Sequence, residues 1–242
     1  MFGGFACGFQ AVLDIGKPAA ELSVGAPQCL LCAGASAELI CAGCREDLPW
    51  NRLACPRCAR PLAAGPARVC PACLEREPAF EHALAAFRYE TPVDQAVQRL
   101  KYGADFLAAR WLGEALAQAA AARPSPLPQV LVPVPLHARR LRSRGYNQAL
   151  ELARALARRL DVEVRPQLAQ RLRATEDQIG KSAVERRRNV KNAFAVDPAV
   201  RGLHLALLDD VMTTGSTLDE LARTCRKAGA ARVEAWVVAR AV

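Results

Sequence analysis

Residues 203–217 read LHLALLDDVMTTGST, and no other stretch limits the possible folds of this chain as sharply. The run 203–208 is apolar apart from His204, the pattern of a strand buried on both faces of a parallel sheet. Asp209 and Asp210 follow at its carboxyl end, where open α/β sheets bind their ligands. Thr213, Thr214, Gly215, Ser216 and Thr217 then make a hydroxyl-rich turn around one glycine. Leu218, Leu221, Ala222, Cys225 and Ala228 recur at helical spacing; Thr217 with Glu220 predicts a capping box, and Gly229 can close the far end.

That order carries chemistry. Backbone N–H groups in a turn that opens a helix converge on one place, the helix dipole favours negative charge there, and hydroxyls add donors without bulk. Such a turn cradles a phosphate. Asp209 and Asp210 suit sugar hydroxyls, which donate to carboxylates, or a magnesium ion carried by the ligand. Phosphate and diol together describe a ribose 5-phosphate. The rival reading is an acidic strand end on a plain surface turn. Neither G-x-G-x-x-G nor G-x-x-x-x-G-K-[ST] occurs, so two common alternative phosphate sites are absent. The reading requires aspartates not locked to arginines and a turn not shut under packed side chains.

A second constraint lies upstream. Cys29 and Cys32, Cys41 and Cys44, Cys55 and Cys58, and Cys70 and Cys73 form four C-x-x-C pairs. Four thiolates make one closed, structural zinc site, so eight predict two. Disulfides and thioredoxin-like redox motifs are the rivals; reduced cytosolic thiols disfavour the first, and the number of pairs disfavours the second. Sharing metal between sequential pairs closes the shortest loops, so the first four cysteines are expected on one ion and the last four on the other. Leu48, Pro49 and Trp50 are expected to form a small core stacking the two ribbons. So small a unit depends on metal for its stability.

The 242 residues divide by texture into an extension over 1–28, a double zinc ribbon over 29–80 and an α/β body over 81–242. In the extension, Phe2, Phe5, Phe9, Val12, Leu13 and Ile15 suit a short packing helix, and Cys7 reads as an inert thiol. With no long apolar run and no basic residue before Lys17, neither a membrane span nor a signal peptide is expected, and the reading is cytoplasmic. The body predicts strands over 84–89, 129–134, 162–164, 168–172 and 232–239. Helices are predicted over 91–102, 106–123 and 146–160, and the whole implies a doubly wound parallel sheet. The formal excess of +9 equals that of the segment 139–191 alone, where fifteen Lys or Arg meet six Asp or Glu. Each zinc bound by four thiolates is formally −2, so the loaded chain stands at +5. After the second strand, Pro135, His137, Arg139, Arg140, Arg142 and Arg144 form an arginine-rich turn suited to a pyrophosphate. The polar segment 175–192 reads equally as a surface helix or a loop that closes on ligand.

LLDDVMTTGST at 207–217 resembles the phosphoribosyl pyrophosphate (PRPP) motif of type I phosphoribosyltransferases. With VPVPLHARRLRSRGYNQ at 132–148, TEDQIGKSAVERRRNVKNAF at 175–194 and the cysteine ribbon, the chain resembles the ComF family of competence proteins over residues 29–242. The resemblance implies a type I phosphoribosyltransferase fold, structural zinc, magnesium with PRPP, and a role in importing single-stranded DNA. It assigns Asp209 and Asp210 to the ribose, and the loop running from Val211 and Met212 through Thr213, Thr214, Gly215, Ser216 and Thr217 to the 5-phosphate. It also assigns Pro135, His137, Arg139, Arg142 and Arg144 to the pyrophosphate, and Thr175, Gln178, Arg186 and Asn189 to a flexible catalytic loop. No base-binding hood is recognisable.

Three functions compete on this reading. The first is an enzyme that stabilises departing pyrophosphate electrostatically, with Arg144 beside the aspartates. The second is a single-stranded-DNA-binding module whose basic segment tracks the backbone, with only Tyr146 there to stack on bases. The third is an adaptor docking a DNA translocase through its ribbons.

Overall fold

The computed structural model describes residues 27–65, 68–174 and 183–241. The expectations for residues 1–26, and for Thr175 and Gln178, lie outside the described residues. Two short helices, α1 (Ala42–Glu46) and α2 (Pro71–Glu75), precede strand β1 (His82–Arg88). Then come α3 (Val93–Tyr102), α4 (Phe106–Ala121), β2 (Val130–Pro133), α5 (Ala138–Arg144), α6 (Gln148–Leu160) and β3 (Glu163–Val164). The last part comprises β4 (Ala169–Arg171), α7 (Ala183–Val190), β5 (Phe194–Val196), β6 (His204–Met212), α8 (Ser216–Lys227) and β7 (Arg232–Arg240). No helix among the described residues is long and apolar enough to cross a membrane.

Five strands form one parallel sheet in the order β1-β7-β6-β2-β3. The stretch 203–212 supplies its middle strand: Leu208 pairs with Pro133 on one side and Trp236 on the other. Because successive strand residues face opposite ways, β6 contributes Ala206 and Leu208 to a core with α3, α4 and α6. It contributes Leu205 and Leu207 to a second core with α8. That is the doubly wound arrangement. Where α4 crosses α6, Gly113 has no alternative: a Cβ there would lie 2.7 Å from Ala155 Cβ and 2.8 Å from the Leu152 carbonyl oxygen. Strands β4 and β5 pair antiparallel in a small separate sheet.

Four local expectations change. Strand β6 does not stop at Leu208 but runs to Met212, because β7 keeps offering partners as far as Arg240. The arginine-rich turn is helix α5: the His137 side chain caps it by accepting the Arg139 N–H at 3.2 Å, and Gly145 ends it at φ 84°. The Thr217–Glu220 capping box does not form, since Gly215 at φ 76° occupies the N-cap and leaves Thr217 inside α8. Glu220 instead accepts the Asn192 N–H at 2.8 Å.

The fourth concerns the ribbons. Leu48 and Trp50 do not stack one ribbon on the other; they join the main core. The Trp50 ring lies 4.6 Å from Phe87, which lies 6.2 Å from Trp111. Trp50 pairs antiparallel with Phe87 of β1, Asn51 N–H donates to the Ala86 carbonyl at 2.9 Å, and Arg88 N–H donates to the Pro49 carbonyl at 2.8 Å. The two ribbons are near copies: Cys29 N–H donates to Gly34 O and Cys55 N–H to Arg60 O, while Ala33 and Ala59 take positive φ of 58° and 53°.

Candidate functional site

A cleft of about 320 Å³ opens at the carboxyl end of β6. Its walls bring together Asp209, Asp210 and the whole turn 213–217 with Lys101 and Tyr102 from α3, Arg140 and Arg144 from α5, and Arg171 from β4. Thr213 and Thr214 are exposed, so the turn is open. Thr214 and Ser216 hydroxyls join at 2.9 Å, and Gly215 adopts the left-handed backbone the bend requires. The amino end of α8 therefore faces the cleft with its first N–H groups and the positive end of its dipole.

Asp210 is 4 % exposed, and its Oδ1 meets Lys101 Nζ at 2.9 Å. Its other oxygen, Oδ2, is buried with no hydrogen-bond partner among the described residues. Burial pulls the Lys101 ammonium down, but the Asp210 charge and hydrogen bond, with Asp209 behind them, outweigh it and hold the group above its ordinary range. Burial pushes the Asp209 carboxyl up to about 7, helped by the Asp210 charge and resisted by the Asp210 N–H that donates to Asp209 Oδ1 at 2.9 Å. Arg171 lies over the Phe194 ring at 5.5 Å; burial lowers it, and the Asp209 charge works against that.

The helical form of α5 sorts its arginines. Arg140 and Arg144, four apart and so on one face, line the cleft. Arg139 and Arg142 are exposed and lie outside the cleft lining. Pro135 and His137 also lie outside it; His137 serves the helix cap. Arg144 Nη1 donates to Gln148 Oε1 at 2.5 Å, and its guanidinium stands 5.6 Å over the exposed Tyr102 ring. Tyr146 packs edge-on against Phe106 at 5.1 Å and donates its hydroxyl to the Leu100 carbonyl. Of the expected flexible-loop residues, Asn189 lies on α7 and Arg186 within it; the Arg186 side chain is outside the described ones. Lys101, Tyr102, Tyr89 and Arg171 carried no sequence signal, because each reaches the cleft only through the fold.

The cysteines form two clusters in chain order: Cys29, Cys32, Cys41 and Cys44, then Cys55, Cys58, Cys70 and Cys73, each with sulfurs within 4.8 Å of one another. All eight are free thiols, with Cys32 and Cys41 sulfurs 3.8 Å apart and those of Cys58 and Cys70 3.6 Å apart. A tetrahedral zinc with Zn–S near 2.3 Å needs sulfur–sulfur edges of about 3.8 Å. The donor sets fit zinc. Burial raises the Cys29 and Cys55 thiols, but three backbone N–H groups aimed at each sulfur outweigh it and hold them at about 6 and about 7.

Family profiles agree with this geometry: the double zinc ribbon domain matches residues 24–74 and the phosphoribosyl transferase domain matches residues 147–241. Fold and profiles together define a phosphoribosyltransferase-like protein carrying an amino-terminal double zinc ribbon. Over 190 residues the chain is 38 % identical to DNA utilization protein YhgH of Salmonella typhi, covering 77 % of this chain and 83 % of the relative. Over 182 residues it is 37 % identical to competence protein F of Haemophilus influenzae, covering 72 % and 80 %. The chain belongs to the family of these proteins, the ComF family. Among solved structures, the B. subtilis glutamine PRPP amidotransferase covers 53 % of this chain and 25 % of its own at 20 % identity and TM-score 0.35. A Pyrococcus horikoshii purine phosphoribosyltransferase covers 66 % and 91 % at 15 % identity and TM-score 0.28.

Proposed function

We propose that the cleft behind β6 binds PRPP or another ribose 5-phosphate, as a phosphoribosyltransferase-like protein of bacterial DNA uptake or use. The observation that carries this reading is Asp210 Oδ2, buried without a partner among the described residues, in a cleft lined by an open hydroxyl-rich turn and by cationic side chains. A buried carboxylate oxygen without a donor is costly, and a sugar hydroxyl supplies that donor.

In this reading the turn 213–217 holds the 5-phosphate, Asp209 and Asp210 take the ribose hydroxyls, and Lys101, Arg140 and Arg144 face the pyrophosphate. Magnesium arriving with the ligand supplies further charge neutralisation on the leaving oxygens. Two structural zinc ions hold the ribbons. The link to DNA rests on the names of the relatives, competence protein F and DNA utilization protein. Titration calorimetry with PRPP and magnesium tests the site: the native chain is expected to bind, and the doubly substituted Asp209→Asn, Asp210→Asn chain to lose binding. Undiminished affinity in that variant sinks the reading.

One observation favours a second reading, binding of single-stranded DNA. Arg188, Lys191 and Lys227, together with Arg76 and Arg223 that pair with Asp219 and Glu220, border a hollow beside α8, on the flank of the same turn. A strand phosphate backbone fits such a border, and its affinity should fall steeply as salt rises. A flat salt response, or no binding, refutes it.

A further inference from the structure

Arg240, the last residue of β7, is 3 % exposed, and its hydrogen bonds run in two directions. Toward the second ribbon, Nε donates to the Cys58 carbonyl at 3.0 Å. Toward the turn, Nη1 donates to the Met212 carbonyl at 2.9 Å and to the Thr213 carbonyl, with a further bond to Ala241. One buried cation thus joins a zinc-ligand residue to the root of the phosphate turn.

From this geometry we infer that Arg240 is a positioning residue for the turn, and that metal in the second ribbon, not the first, governs ligand affinity there. The inference rests on the proposed reading of the turn as a phosphate site.

Peptide planarity explains how the grip acts. In a trans peptide the carbonyl and the following N–H point opposite ways. Holding the Met212 and Thr213 carbonyls on Arg240 therefore aims the N–H groups of Thr213 and Thr214 away from it. Electrostatics explains why metal matters. A four-thiolate zinc site is formally −2, and a buried guanidinium is costly unless a negative partner sits beside it. A loaded second ribbon supplies that partner in full and fixes the Cys58 carbonyl; an emptied one supplies less charge and a looser carbonyl. A second tie runs parallel: Asp219 in the first turn of α8 accepts the Ala79 N–H at 2.6 Å and meets Arg76 at 3.5 Å, both just past Cys73, the last cysteine of the second ribbon. The first ribbon packs elsewhere, through Ile40, Leu48 and Trp50 against the core of β1 and α4.

The test uses full-length protein in four forms: Arg240→Met, Arg240→Lys, Cys70→Ser with Cys73→Ser, and Cys29→Ser with Cys32→Ser. Hydrogen exchange at residues 212–217 is read without ligand, PRPP affinity by calorimetry, and zinc content by elemental analysis. Arg240→Met is expected to keep two zinc ions while exchange at the turn quickens and PRPP affinity falls, each by about tenfold, the size of one charged hydrogen bond. Arg240→Lys, which keeps the charge, should restore part of the loss. The Cys70, Cys73 form should reproduce the Arg240→Met result, and the Cys29, Cys32 form should match the native turn. Native-like exchange in Arg240→Met, or equal effects from the two cysteine pairs, overturns the inference. Should the native chain bind no PRPP, the ligand reading fails, and the exchange data still decide the role of Arg240.

Discussion

Lys101 Nζ lies 2.9 Å from Asp210 Oδ1 although the residues come from different elements, the carboxyl end of α3 and the middle strand of the sheet. The pair fixes one carboxylate oxygen of a residue that lines the cleft, so Lys101 bears on how much of Asp210 a ligand can use.

Lys101→Met should strand a buried carboxylate. Removing one partner of a fully buried pair costs 3–5 kcal/mol; the Lys101 side chain keeps partial solvent access, so about 2–3 kcal/mol is expected. Denaturant titration measures it. Adding Asp210→Asn to Lys101→Met should recover part of the loss, because the stranded charge goes with it. No recovery would mean that the pair is not what the stability depends on.

The Asp209 carboxyl, raised to about 7, makes the opposite kind of contribution. Its folded pKa exceeds its unfolded value, so the folded chain holds the proton more tightly. Stability is fully present below the unfolded pKa and declines as pH rises through about 7. Asp209→Asn should therefore stabilise the ligand-free protein at pH 8, by about 2–4 °C in Tm for each kcal/mol recovered. Near pH 3 it should leave Tm almost unchanged. A variant that melts lower than the native chain at pH 8 contradicts the assignment.

Gly113 makes a purely steric prediction. A Cβ at that position meets Ala155 and the Leu152 carbonyl under 3.0 Å, so α4 and α6 must move apart to admit it. Gly113→Val should cost about 1–3 kcal/mol as overpacking. Gly113→Ala combined with Ala155→Gly should cost less, since it removes one of the two close contacts and leaves only the Leu152 carbonyl. Chemical denaturation of the three chains separates these outcomes.

Some of this was legible in the residues. The apolar run 203–208, the acid pair and the hydroxyl turn named the middle strand and its ligand end, because burial on both faces leaves so plain a pattern. Cysteine spacing gave the sequential clusters, since short loops and metal geometry agree. Which arginines face the cleft was hidden: 139, 140, 142 and 144 look alike until α5 is known to be helical, and helical periodicity then selects 140 and 144. Lys101 was invisible because its partner is 109 positions away along the chain. The place of Trp50 is hidden for a similar reason: its anchor, Phe87, belongs to a strand whose open side has no sequence marker.

That anchoring has a consequence for handling the protein. Strand β1 is the outermost member of its sheet, and its outer flank is covered by residues 49–51 and by Pro56 of the second ribbon, whose carbonyl accepts the Ala83 N–H at 3.2 Å. An uncovered flank of this kind invites a neighbouring chain to add itself. Chelation should therefore show first as clumping of otherwise intact molecules, with loss of the inner layers coming later.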